Sequence, residues 1–90
     1  MATKFSVTLK DDVDRKAMVD ALKKGAESKG LTFKGDTNKG EATAPGAKIT
    51  YVVSGNTADI VVDVGFPASM KIKEPDAVKL LKEWLKPYTK

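Results

Sequence analysis

The 90-residue sequence contains no cysteine and no histidine. Without cysteine the chain can form no disulfide bond, thiol nucleophile or thiolate metal site. Without histidine it lacks the commonest general base at neutral pH and the commonest transition-metal ligand. The phosphate-binding glycine motifs are also missing, and the acidic residues lack the spacing of a calcium loop. We therefore expect a protein that is not an enzyme, with no catalytic residue, no cofactor and no metal site.

Arginine and aromatic residues are scarce as well. Arg15 is the only arginine although the net charge is +4, and Trp84 is the only tryptophan. Nucleic-acid-binding surfaces rely on arginine for paired hydrogen bonds and on aromatic side chains for base stacking. Because the predicted open face of the sheet carries no aromatic residue, we expect no specific nucleic-acid partner.

The sequence also lacks long apolar runs. No stretch approaches the length that a membrane-spanning helix needs, and no apolar signal segment precedes the first predicted strand. These absences predict a cytoplasmic protein with no transmembrane segment. An apolar fraction of 41% over 90 residues is ordinary for one globular domain, which we expect to span residues 1–90.

Hydrophobic periodicity predicts the first two elements. Alternating apolar residues predict a strand at 4–10, and helical spacing predicts a helix from about 12 to 29. Asp11 and Asp12 are predicted to cap the start of this helix, and Gly30 is predicted to end it as a left-handed cap.

The middle of the chain is less regular. A short strand is predicted at 31–34. Residues 35–46 lack large apolar side chains and predict either a long loop or a loop followed by a weak edge strand at 41–44. Within this segment, residues 35–40 are predicted to form a mobile loop.

A β-hairpin at 47–66 has the clearest pattern. Both strands alternate apolar and polar residues, and Gly55 suits the first central position of a two-residue turn. The resulting register places Ile49 opposite Val62 on the core face. Residues 67–74 are predicted to be either a turn or a short extended piece.

A final amphipathic helix is predicted from Pro75 to Lys86, ended by Pro87. The element order is then β-α-β-(β)-β-β-α. Consecutive strands favour antiparallel pairing, so the predicted fold class is α+β, with a small antiparallel sheet and two helices on one face.

Three short motifs resemble the polyhydroxyalkanoic acid system family. They are Gly-Asp-Thr at 35–37, Pro-Gly-Ala-Lys-Ile at 45–49, and Val-Asp-Val-Gly-Phe at 62–66, followed by a lysine-rich closing helix. This resemblance covers nearly the whole chain. It implies a small bacterial protein with a cytoplasmic accessory role around polyester storage granules, and it implies no catalytic residue.

The leading functional prediction is a non-enzymatic interaction protein, associated with polyhydroxyalkanoate granules or with a protein partner. Its apolar surface lies beside the C-terminal helix and comprises Leu80, Trp84 and Tyr88. The alternative is a domain that binds a small apolar molecule between sheet and helices, for which Tyr51 and the small residues near Gly25 are the indications.

A third interpretation is a structural subunit of a larger assembly, including a homo-oligomer. In this interpretation another chain pairs with the edge strand at 41–44 or covers the outer sheet face at Val52 and Val61.

Overall fold

The computed structural model describes residues 2–65 and 73–90. Within these residues the chain forms one five-stranded sheet and two α-helices, followed by a short 3-10 turn. The elements in chain order are β1 (Ala2–Thr8), α1 (Arg15–Ser28), β2 (Thr32–Gly35), β3 (Lys39–Ala44), β4 (Ala47–Ser54), β5 (Thr57–Val64), α2 (Glu74–Leu85) and the 3-10 turn (Lys86–Tyr88).

The sheet is antiparallel throughout, with strand order β1-β5-β4-β3-β2. The predicted hairpin register is confirmed, since Ile49 pairs with Val62. Gly55 has φ +58 at the first central position of the turn, a conformation that costs glycine little. The α+β fold class is therefore confirmed.

Helix α1 begins at Arg15, two residues later than a cap at Asp12 would place its start. Asp14, with extended backbone angles, is the capping residue, and its carboxylate accepts a hydrogen bond from the Ala17 backbone N–H at 3.1 Å. The predicted capping role of Asp11 and Asp12 is wrong. Asp11 instead accepts a hydrogen bond from the Asn56 side chain at 3.1 Å and pairs with Lys90 at 3.2 Å.

The left-handed cap at the end of α1 is confirmed, with φ +82 at Gly30. The Gly30 N–H donates to the Glu27 carbonyl at 3.1 Å, and the Leu31 N–H donates to the Ala26 carbonyl at 3.0 Å. These two bonds define a Schellman motif, which satisfies carbonyls at the helix end and turns Leu31 back under the helix.

The predicted loop at 35–40 is shorter than expected, because Gly35 ends β2, Lys39 begins β3, and the residues between them close a tight hairpin. The Asp36 carboxylate accepts hydrogen bonds from the backbone N–H groups of Asn38 at 2.7 Å and Lys39 at 3.0 Å. Gly35 and Gly40 face each other across the hairpin. The predicted weak edge strand at 41–44 is part of β3, which lies between β2 and β4 and is therefore not an edge.

Both helices pack on one face of the sheet, as predicted. The core between them is made of apolar side chains from four elements and the segment after β1, namely Leu9, Met18, Leu22, Tyr51, Val53, Ala58, Ile60, Val62, Val64, Ala77, Leu81 and Leu85. Helix α2 begins at Glu74, with Pro75 in its first turn, and ends at Leu85 just before the predicted stop. Strands β4 and β5 direct alternate side chains into this core.

The other face of the sheet is polar and is covered by neither described helix. Lys48 pairs with Asp63 across β4 and β5, as the register predicted. Val52 is the large apolar side chain most exposed among the described residues, at 51%. The aromatic side chains of the described strands all pack toward the helices, so this face offers no base-stacking platform.

Phe66, the last residue of the predicted hairpin, and most of the segment at 67–74 lie outside the described residues. Within the described residues, no helix is long and apolar enough to cross a membrane.

Candidate functional site

An apolar groove of about 530 Å³ lies where the end of α1, the β3–β4 turn and α2 meet. Helix α2 forms one wall, the turn forms the other, and the sheet forms the floor. The described residues that line the groove are Ser28, Lys29, Gly30, Leu31, Ala44, Pro45, Ala47, Ile49, Val64, Ala77, Leu80, Leu81 and Trp84. A cavity of this volume with a mainly apolar lining has the size and character of a small-molecule site.

The side chains that β3 carries on the helix-covered face are small; Ala44 lines the groove, whereas the Tyr51 ring fills the space over Gly40. The residues of β3 on that face are Gly40, Ala42 and Ala44, and Ala47 faces Ala44 across the next turn. On β5, by contrast, the same face carries larger side chains such as Ile60 and Val62, which fill the space under the helices. The small residues Ala44 and Ala47 at the β3–β4 turn are thus the part of the sequence that signals this site.

Trp84 occupies its place in the groove wall because Gly25 of α1 has no side chain. A Cβ atom on Gly25 would lie 2.8 Å from Cδ2 and Cε2 of the indole ring. Gly25 is therefore the point of a close contact between the two helices, and the indole ring lies against α1. Trp84 and Leu80 are both half-buried.

The Schellman motif at the end of α1 shapes one rim of the groove. It directs Leu31 inward among the lining residues and leaves Ser28 and Lys29 at the mouth. The Ser28 hydroxyl donates to the Gly25 carbonyl at 2.6 Å. Among the described lining residues, Lys29 is the one with a charged side chain.

A smaller cavity of about 30 Å³ lies deeper between the helices and the sheet. It shares Leu31, Ile49, Leu81 and Trp84 with the groove, and Tyr51 is part of its lining. A volume of this size accommodates about one water molecule, so the candidate binding site is the groove, which combines a volume of about 530 Å³ with a mainly apolar lining.

The contacts of Tyr51 are those of a structural residue. It is 5% exposed, its ring stacks on Phe33 with the ring centroids 6.1 Å apart, and its hydroxyl donates to the Asp36 carbonyl. Burial, assisted by the nearby Asp36 carboxylate, raises the pKa of Tyr51 above its usual value. Tyr51 therefore anchors the β2–β3 hairpin and does not line the groove.

Two carboxyl groups outside the groove have lowered pKa values. Hydrogen bonds from the backbone N–H groups of Lys39 and Asn38 lower the pKa of Asp36. The pKa of Glu74 is lowered by hydrogen bonds from the Thr3 hydroxyl at 2.5 Å and the Val64 N–H at 3.1 Å. Both groups stabilise strand ends.

The structure brings together two of the three residues predicted to form an apolar surface. Leu80 and Trp84 line the groove. Tyr88 lies beyond α2 in the 3-10 turn, where its carbonyl accepts a hydrogen bond from the Lys10 N–H at 3.0 Å. Sequence reasoning missed Leu31, Pro45 and the other lining residues of the sheet and loops, because periodicity on α2 identifies only one wall.

Comparisons with known proteins add no family assignment. The sequence matches no protein-family model and no curated protein. The resemblance to the polyhydroxyalkanoic acid system family stays a prediction from the short motifs described above.

Proposed function

We propose that this protein is a binding module that takes a small apolar molecule into the groove between α1, α2 and the β3–β4 turn. The observation that carries the proposal is the groove itself, about 530 Å³ in volume and lined mainly by aliphatic side chains and Trp84. Known ligand pockets have volumes of roughly 300–1,000 Å³ and combine apolar walls with a few polar groups. Transfer of an apolar ligand from water into such walls is favourable.

A small ligand is favoured over adsorption to a flat apolar surface. Leu80 and Trp84 are half-buried and line a concave space, so a curved or flexible molecule can contact both. Tyr88, the third residue of the predicted surface, does not line this space. A small ligand therefore matches the arrangement of the side chains better than a planar surface does.

A role at polyester granules is the second candidate. It is favoured by the family resemblance together with the groove, since a segment of an aliphatic polyester is an apolar chain of the kind that the groove admits. Co-sedimentation with polyhydroxyalkanoate granules at low and high salt tests it. Apolar binding survives high salt, whereas attraction through the lysine side chains does not.

Titration with 1-decanol, followed by tryptophan fluorescence, tests the small-molecule proposal. Trp84 is the only tryptophan, so its emission reports directly on the groove wall. We expect a saturable change in emission and a rise in the thermal midpoint with ligand concentration, because a ligand that binds the folded state stabilises it.

Ala44→Leu and Thr43→Leu form a matched pair for this titration. Ala44 lines the groove, while its neighbour Thr43 lies on the opposite face of the same strand. Filling the groove with Ala44→Leu should weaken decanol binding by at least about fivefold, which corresponds to roughly 1 kcal/mol. Thr43→Leu should leave it unchanged. Equal effects of both variants, or no saturable change in the wild type, would refute the proposal.

A further inference from the structure

We infer that the ligand of the groove is amphipathic, with an anionic head group that contacts Lys29 and an apolar tail that lies along α2. A medium-chain carboxylate has this chemistry. The inference rests on the proposed function, because it names the class of molecule that the same groove binds.

The charge of the groove points to an anion. Lys29 is the charged residue among the described residues that line the groove, whereas the remaining lining side chains are apolar apart from Ser28. Lys29 forms no ion pair with any described residue, unlike Lys24, which pairs with Asp20 on the same helix at 3.1 Å. Its ammonium group is therefore free to bind a carboxylate from the ligand.

Other hydrogen-bond donors at this rim are already used. The backbone N–H groups of Lys29, Gly30 and Leu31 donate to carbonyls in the last turn of α1. The Ser28 hydroxyl donates to the Gly25 carbonyl. The Lys29 ammonium is consequently the donor left for a ligand head group at the end of α1.

The tail has an apolar path away from this rim. Leu80, Leu81 and Trp84 follow one face of α2, and Ala77 extends the wall into the first turns of that helix. Ile49 and Val64 line the sheet side of the groove. A head group at Lys29 leaves the alkyl chain in contact with these side chains, and such burial of methylene groups supplies most of the affinity.

The experiment compares decanoate with 1-decanol at neutral pH, since the two molecules share an alkyl chain of the same length. Each is titrated into the wild type, Lys29→Gln and Lys23→Gln, with Trp84 fluorescence as the readout. Lys23 is an exposed residue of α1 that does not line the groove, so its substitution removes the same charge elsewhere.

We expect the wild type to bind decanoate about two- to fivefold more tightly than decanol, the effect of a solvent-exposed ion pair. Lys29→Gln should abolish this preference, so that decanoate and decanol bind it with similar affinity, while Lys23→Gln should retain the preference. A wild type that binds decanol without preferring decanoate, or a preference that survives in Lys29→Gln, would overturn the head-group assignment while leaving the groove proposal intact. Failure of both probes to bind would overturn the proposed function and this inference with it.

Discussion

Replacing Gly25 with alanine tests the contact that positions Trp84 in the groove wall. The added Cβ would lie 2.8 Å from Cδ2 and Cε2 of the indole ring and 3.0 Å from Cε3. Carbon atoms in favourable contact are roughly 3.5–4.0 Å apart, so the ring or the helix must move by about 1 Å.

Two opposing effects set the expected change in stability. Alanine is more favourable than glycine in a helix by about 1 kcal/mol. Forcing an extra methyl group into a filled contact typically costs about 1–3 kcal/mol. We therefore expect Gly25→Ala to lower the free energy of unfolding by about 1 kcal/mol. Removal of the indole ring by Trp84→Leu should reverse the sign, so that Gly25→Ala then stabilises by up to about 1 kcal/mol.

Urea unfolding followed by circular dichroism measures this double-mutant cycle without relying on tryptophan emission. Gly30→Ala is the control, because nothing lies within 4 Å of its added Cβ and its cost arises from φ +82 alone. That cost, about 1–2 kcal/mol, should be the same in the wild type and in the Trp84→Leu variant. If Gly25→Ala stabilises the wild type as much as it stabilises the Trp84→Leu variant, the contact between the two helices has been assigned incorrectly.

Two further substitutions test the hydrogen bonds that Glu74 makes to β1 and β5, and the packing of the β2–β3 hairpin. The hydrogen bonds from Thr3 and Val64 lower the pKa of Glu74, so their stabilising contribution is fully present above the ordinary pKa of 4.5 and is lost as the pH falls through the folded-state value. Glu74→Gln should therefore be less stable than the wild type at pH 7 in urea unfolding, and the difference should shrink in acid; a difference that stays constant with pH contradicts this assignment. Gly40→Ala should destabilise by about 1–3 kcal/mol, because its Cβ would lie 2.6 Å from the buried ring of Tyr51, and an unchanged urea midpoint would show that the ring lies elsewhere.

The β4–β5 hairpin was predictable because its information is local. Each strand alternates apolar and polar residues, and Gly55 permits the turn that joins them. A shift of one residue would expose the entire apolar row, so one register satisfies both the core and the turn. The end of α1 was predictable for the same reason, since Gly30 suits the left-handed cap regardless of what packs against it.

Strand β3 was only partly predictable. Gly40, Ala42 and Ala44 on its inner face bury little apolar surface, so hydrophobic alternation is weak. Its strand conformation depends on backbone hydrogen bonds to β2 on one side and β4 on the other. Each partner is joined to β3 by a short turn, and the periodicity of β3 itself carries no information about these hydrogen bonds.

By itself the sequence determined that this protein has no cysteine or histidine chemistry, and it determined the α+β class, the hairpin register and the apolar face of α2. These features depend on residue type and on periodicities within single elements. Only the tertiary structure decided that Ala44 of β3, the chain reversal at Gly30 and the Trp84 ring surround one groove with Lys29 at its mouth. A cavity is the space that several elements fail to fill together, so its existence and lining follow from their packing rather than from any one of them.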